Sequence, residues 1–133
     1  MADAKIEFEL VAPEKLLVSK AVEMVVVPGT EGDFGVLVGH APLISSLRNG
    51  VIEIHDEGAV TDRIFVAGGF AEVTAERCTV LAVEAIAIGE LDRAQLDDDL
   101  RSARERLAAA ATDPAREEIA DLIAIVEAKL AAM

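Results

Sequence analysis

Residues 28–43 read PGTEGDFGVLVGHAPL. Gly29, Gly32 and Gly35 interrupt an apolar run at a spacing of three, and Gly39 leads into a His40-Ala41-Pro42 corner. Glycine opens left-handed and mirror-β backbone to the chain, and proline fixes a corner. The pattern therefore predicts a turn, a short strand and a second turn. A phosphate cradle would need a Lys-Ser/Thr pair after the glycines and a helix starting there. The sequence offers no such pair and reads on as strand.

Outward from this unit, residues 5–88 show short apolar segments separated by turn residues every eight to twelve positions, the texture of antiparallel sheets packed face to face. Ile6, Phe8 and Leu10 alternate with Glu7 and Glu9, so the first strand has one buried and one wet face. Further strands are predicted at 21–27, 34–38, 51–55, 63–67 and 79–85. Val25, Val26 and Val27 form a continuous apolar run, as in a strand covered on both faces or buried at a partner interface.

The pattern changes after Gly89. Residues 90–111 contain no Gly, Pro or β-branched residue, and Leu96, Leu100, Ala103, Leu107 and Ala110 recur at three- and four-residue steps, which predicts an amphipathic helix. Thr112, Asp113 and Pro114 end it. Asp113 is read as the N-cap of a second helix with Pro114 at its first position, and Ile119, Leu122, Ile123, Val126 and Leu130 supply its apolar stripe. So short a connection makes the helices antiparallel. The expected architecture is an all-β domain over 1–88, a flattened antiparallel β-sandwich or barrel, followed by an α-helical hairpin over 89–133.

Composition narrows the function. The chain has 133 residues, 53% of them hydrophobic and 3% aromatic, so the core is built from Val, Ile, Leu and Ala. Twenty-five acidic against 12 basic residues give a net charge of −13, which argues against nucleic acid or anionic lipid as direct partners and favours a basic one. Cys78 is alone, so no disulfide framework is expected and a reducing compartment is the default. No apolar run suits a membrane helix, and MADAKIEFEL has no signal-peptide pattern, so a soluble, cytoplasmic protein is expected.

Candidate chemistry is thin. His40, His55 and Cys78 match no metal-ligand spacing and nothing brings them together with an orienting third group, so structural roles are expected for all three. For His40, between Gly39 and Ala41, an imidazole bonded to backbone is the ordinary reading. Asp97, Asp98 and Asp99 lack the alternation and closing Glu of a calcium loop. Asp97 and Arg101, and Arg101 and Glu105, stand four apart on a solvated helix face. Apart from any family likeness, the residues leave two readings open: a free-standing binding module using the hairpin and, far last, a small hydrolase using His40 and Cys78.

Two blocks carry a resemblance. The Pro/Gly turn followed by Gly39-His40-Ala41-Pro42-Leu43, with FVAGGFAEV over 65–73 downstream, is similar to the epsilon subunit of bacterial F-type ATP synthases, whose second block is a Gly-Gly-Phe hairpin. The likeness extends over essentially the whole chain. It implies a rotor subunit of the central stalk with no catalytic residue, metal or cofactor, peripheral to the cytoplasmic side of the bacterial inner membrane. The implied partners are the gamma subunit, the c-subunit ring and, through the hairpin, the alpha/beta head. By resemblance, Glu31 and Asp33 fall on the loop that touches the ring, and Val36, Leu37, His40, Pro42 and Leu43 on the segment near the shaft. Some relatives bind ATP at the start of the hairpin through Ile/Leu-Asp-x-x-Arg-Ala. Leu91 and Asp92 match, whereas Gln95 and Leu96 replace the Arg and Ala. Without the guanidinium, weak ATP binding or none is expected. The family's hairpin can also block ATP hydrolysis through basic side chains. Here residues 90–133 carry six basic and eleven acidic residues, net −5, which implies modest or absent inhibition.

Overall fold

The computed structural model describes residues 4–13 and 15–133, in two compact units, Met1–Ala87 and Ile88–Met133. The first unit contains β1 (Ile6–Ala12), β2 (Lys15–Val22), β3 (Met24–Gly29), β4 (Gly32–Val36), β5 (Leu43–Ser46), β6 (Gly50–Asp56), β7 (Ala59–Val73) and β8 (Arg77–Ala87). They hydrogen-bond along one path, β2-β1-β8-β7-β6-β3-β4, with β5 added on β7. Pairing is antiparallel except between β1 and β8, which run parallel from Glu7 with Arg77 to Val11 with Leu81. The expected all-antiparallel arrangement is thus a mixed one. β1 and β8 are far apart in sequence, so no tight turn forces them to oppose.

Alternation builds the core as the sequence suggests. Ile6, Phe8 and Leu10 are fully buried and Glu7 is exposed. Val22 in β2 and Val36 in β4, from the two end strands of the path, belong to the same buried cluster as Ile52, Ile54, Val66 and Val80. The sheet is therefore folded over on itself around one apolar interior. An ion pair fastens this closure at the surface: Lys20 of β2 donates to Asp62 of β7 at 2.8 Å. That bond holds the Asp62 carboxyl below the usual carboxylate range. The stabilisation is present above the ordinary Asp range and is lost as pH falls through the depressed value.

Several strand readings change. The segment 21–27 is the end of β2 and the start of β3, broken at Glu23. Val25 and Val27 are buried and Val26 is half-buried, so β3 has one core face and is not covered on both. β2 lies at the edge, where Leu16 is exposed and Leu17 and Val18 are half-buried. An edge strand has one flank free of neighbours, and its hydrophobic alternation is correspondingly weak. The Gly-Gly-Phe block is not a hairpin. Gly68 and Gly69 lie inside the 15-residue β7, with φ of +68° and +102°.

A Cβ on Gly69 would overlap the Leu81 carbonyl oxygen and stand 2.9 Å from Ala82 Cα. Only glycine lets β7 come this close to β8. From this point β7 pairs with β5 through Ser46–Phe70 to Leu43–Val73, whereas its earlier half pairs with β6.

The second unit holds a 3₁₀ turn (Ile88–Glu90), α1 (Arg93–Ala109) and α2 (Asp113–Ala132). Each helix starts from a side-chain cap: Asp92 accepts from the Gln95 amide at 3.2 Å, and Thr112 accepts from the Ala115 amide at 3.3 Å. The α2 cap is therefore Thr112, not Asp113. Thr112 has the extended backbone of a cap, and Asp113 and Pro114 already occupy the first helical turn. Leu96, Ala103, Ile119 and Val126 are buried, as the stripes predict, but Leu122 is 40% exposed. Arg101 pairs with Asp98 at 2.6 Å, three residues away, and not with Asp97 or Glu105. Arg104 reaches Glu127 across the helix pair at 3.4 Å.

Gly69→Ala is expected to destabilise the fold by more than ~2 kcal/mol, because it combines positive φ with a backbone clash. Gly89→Ala, where nothing lies within 4 Å of the new Cβ, should stay within ~0.5 kcal/mol. Urea unfolding of the two variants checks the contrast. Burial also pushes the Cys78 thiol up to about 12. The native protein should therefore react with a thiol reagent at pH 8 roughly a thousandfold more slowly than the urea-unfolded chain. Because the folded value is the higher one, this neutral thiol stabilises fully below about pH 9 and the effect is lost as pH rises towards 12.

Candidate functional site

Two surface features of the β unit and one helix start hold the residues singled out from sequence. The first is the turn between β3 and β4. Its stem is paired with the segment after β5: Thr30 donates to the Ser46 carbonyl and Arg48 to the Pro28 carbonyl, both at 3.0 Å, around a bridge between Gly29 and Leu47. Gly50 packs against Pro28 so closely that a Cβ there would lie 2.8 Å from Pro28 Cβ. The Arg48 guanidinium spans the turn. One nitrogen donates to the Gly29 carbonyl at 2.6 Å, and another pairs with the Asp33 carboxylate. Gly32, at φ +131°, lets the chain reverse between these anchors. Glu31 at the tip is exposed and has no ion-pair partner among the described residues.

Glu31 and Asp33, grouped by sequence, are thus separated in chemistry. One carboxylate is free and the other is held. Sequence reasoning missed Arg48, yet its signal is visible: it is the only Lys or Arg between Lys20 and Arg63, in a stretch with seven acidic residues.

The second feature is the outer face of β1, β8, β7 and β5. Residues paired across strands share a face, so the pairs Val11–Leu81, Leu81–Phe70 and Phe70–Ser46 form one row across four strands. Glu9, Thr79, Glu72 and Ile44 form the next. Phe70 is 41% exposed, Leu81 39%, Val83 69% and Ile44 69%. Val11, Pro13, Phe70, Leu81 and Val83 line a shallow apolar groove of about 400 Å³. A cross-strand apolar row facing water is a surface made to be covered.

Of the segment read as lying near a shaft, Leu37, Pro42 and Leu43 are exposed and His40 is half-buried. Val36 is fully buried in the core, so its side chain is unavailable to a partner and serves to anchor Leu37. His40 Nδ1 donates to the Ala41 carbonyl at 2.7 Å and its amide to Leu37, the backbone-bonded imidazole expected. Gly39, at φ +87°, donates to the Ala75 carbonyl at 2.6 Å, fastening the corner to the β7–β8 turn.

At the hairpin start, Asp92 is engaged as the α1 cap, Gln95 donates from its amide side chain to Asp99 at 2.9 Å, and the Leu91 amide closes the 3₁₀ turn on Ile88. Of the three residues of the fragmentary nucleotide motif, Asp92 and Leu91 thus take part in the start of the hairpin, and Gln95 bonds within α1. Among the described residues no group of three or more His, Cys, Asp or Glu is placed to hold a metal ion, and no helix is long and apolar enough to cross a membrane. His55 pairs with Glu53 at 3.3 Å.

Comparison with known proteins identifies the family. Residues 5–88 match the family described as ATP synthase, Delta/Epsilon chain, beta-sandwich domain. The ATP synthase epsilon chain of Paramagnetospirillum magneticum is 54% identical over 129 residues, covering 97% of both chains. That of Rhodospirillum rubrum is 55% identical over 126 residues, covering 95% of this chain and 94% of its own. Among solved structures, a chain of the Euglena gracilis mitochondrial ATP synthase OSCP/F1/c-ring assembly superposes with a TM-score of 0.83 at 28% identity, over 96% of this chain and 81% of that one. A chain of the Tetrahymena thermophila mitochondrial ATP synthase central stalk and c-ring shares the fold, with a TM-score of 0.65 at 14% identity and coverage of 96% and 95%. With half its residues shared end to end, and a sandwich model matched from the first strand to the last, the chain belongs to the ATP synthase epsilon chain family.

Proposed function

We propose that the chain couples rotation of the proton-driven membrane ring to the gamma shaft. As an epsilon chain it is a non-catalytic subunit of the ATP synthase and a component of its central stalk. The observation that carries the coupling role is the two-faced surface of the β unit: an acidic turn on a braced stem, and an apolar row across β1, β8, β7 and β5. Transmitting torque requires surfaces that do not yield. Both features sit on hydrogen-bonded strands or stems, not on free loops.

In this reading the 28–33 turn, with Glu31 and Asp33, meets polar loops of the c-ring, where charge gives orientation and specificity. The row Phe70–Leu81, with Leu37, Pro42 and Leu43 of the corner, grips gamma. Apolar side chains fixed on a sheet give up little entropy when a partner covers them. The chain would then lie at the membrane periphery, on the cytoplasmic side of the bacterial inner membrane, held there by its partners.

Inhibition by the hairpin is weak in this proposal. Basic capture of an acidic partner would have to come from α2, where Arg116 and Lys129 are the basic residues and five acidic side chains accompany them. α1 and α2 together carry no surplus of positive charge to steer the hairpin onto an acidic segment.

Gamma should co-purify with residues 1–89 as it does with the full chain. Ile44→Asp and Val83→Asp should lower that affinity at least about tenfold while leaving urea unfolding nearly unchanged, since both side chains are 69% exposed in the free protein. Recovery of the 1–89 fragment without gamma would count against the coupling role. ATP hydrolysis by the assembled head should proceed at equal rates with the full chain and with 1–89. A several-fold faster rate with the truncation would restore an inhibitory role for the helices.

A further inference from the structure

We propose that Arg48 is the positioning residue of the ring-facing turn, and that it divides the turn's two carboxylates into a structural one, Asp33, and a docking one, Glu31. The inference rests on the coupling reading above, in which this turn meets the ring.

Arg48 sends one guanidinium nitrogen to the Gly29 carbonyl and another to the Asp33 carboxylate, so a single planar group closes the turn from its entry to its exit. A guanidinium holds two acceptors in a fixed geometry, which an ammonium cannot do. The same residue's amide is bonded to Pro28, so the side chain that spans the turn grows from the segment after β5 that braces it. With 42% and 58% side-chain exposure, the Arg48–Asp33 pair adds little to global stability. Its effect is local order.

Two consequences follow for recognition. Asp33 is neutralised from within the chain, leaving Glu31 as the free charge at the tip, and a partner loop carrying Lys or Arg has one carboxylate to find. The direction in which Glu31 is presented is set by the brace and not by the partner, which reduces the ordering cost of docking.

Arg48→Ala, Arg48→Lys, Asp33→Asn and Glu31→Gln in the full-length chain separate these roles through two measurements. The first is amide hydrogen exchange at Thr30, which bonds to Ser46 within the stem. Arg48→Ala should accelerate it about tenfold, the scale of one charge-assisted hydrogen bond, Arg48→Lys less, and Glu31→Gln not at all. The second is affinity of the chain, bound to its cognate gamma, for the cognate detergent-solubilised c-ring at low and high NaCl. Glu31→Gln should weaken binding and flatten its salt dependence. Arg48→Ala should weaken binding with the salt dependence retained, Arg48→Lys should restore part of the loss, and Asp33→Asn should add nothing to Arg48→Ala.

Unchanged Thr30 exchange in Arg48→Ala would overturn the brace itself. Faster exchange with ring affinity lost only in Glu31→Gln would overturn the positioning role while leaving the ring contact standing. Faster exchange with ring affinity unchanged in both variants would overturn the ring contact, and the proposal with it.

Discussion

The β unit depends on one close approach. Gly69 stands against the Leu81 carbonyl with no room for a side chain, and this contact lets β7 run 15 residues while serving two sets of neighbours. Before it, β7 lies between β6 and β8. Beyond it, β7 lies between β5 and β8. Val22 and Val36, from the two end strands of the path, share one interior. Positive φ at Gly68 and Gly69 supplies the bend, and the interior supplies the driving force, because closing the sheet takes its apolar face out of water.

The same bend fixes the outer surface. Phe70 follows Gly69 directly and is paired with Leu81, so the residues that force the approach also set the apolar row across four strands. The row also contains the most exposed of the four phenylalanines. Phe8 and Phe65 are buried and Phe34 is half-buried, whereas Phe70 is left where a partner can cover it.

What could be read from sequence follows the physics of each signal. β1 was legible because Ile6, Phe8 and Leu10 alternate against two glutamates, and the helices because a stripe at three- and four-residue spacing has no strand interpretation. β2 and β5 were not legible. One is an edge strand with weak alternation, and the other is a four-residue LISS segment whose pairing depends on a distant part of β7. The Thr112 cap was displaced by one because Thr and Asp both cap well and the choice rests on backbone angles. The turn that carries Glu31 was legible from its glycines. The separate duty of Asp33 was not, since it needs Arg48, fifteen residues away, to be in place. Within the segment 36–43 the motif does not separate inward from outward side chains: Val36 is in the core and its neighbour Leu37 reaches solvent.

The two units use their few cations differently. In the β unit the scarce cations have structural roles. Lys20 closes the sheet edge, Arg48 spans the turn and Arg77 pairs with Glu9 at 2.7 Å. Loss of any one of these three would leave a carboxylate unpaired in a strongly acidic chain. In the helical unit guanidiniums are absorbed as well, Arg101 by Asp98 and Arg104 by Glu127, and the surplus is negative. A hairpin with these guanidiniums already paired has to break those pairs before it can bind an acidic partner, and meets repulsion from its own carboxylates when it does. At the helix start Asp92 accepts from the Gln95 amide as a cap. Charge changes confined to the hairpin leave the strands of the β unit untouched, because the chain divides into two compact units at Ala87.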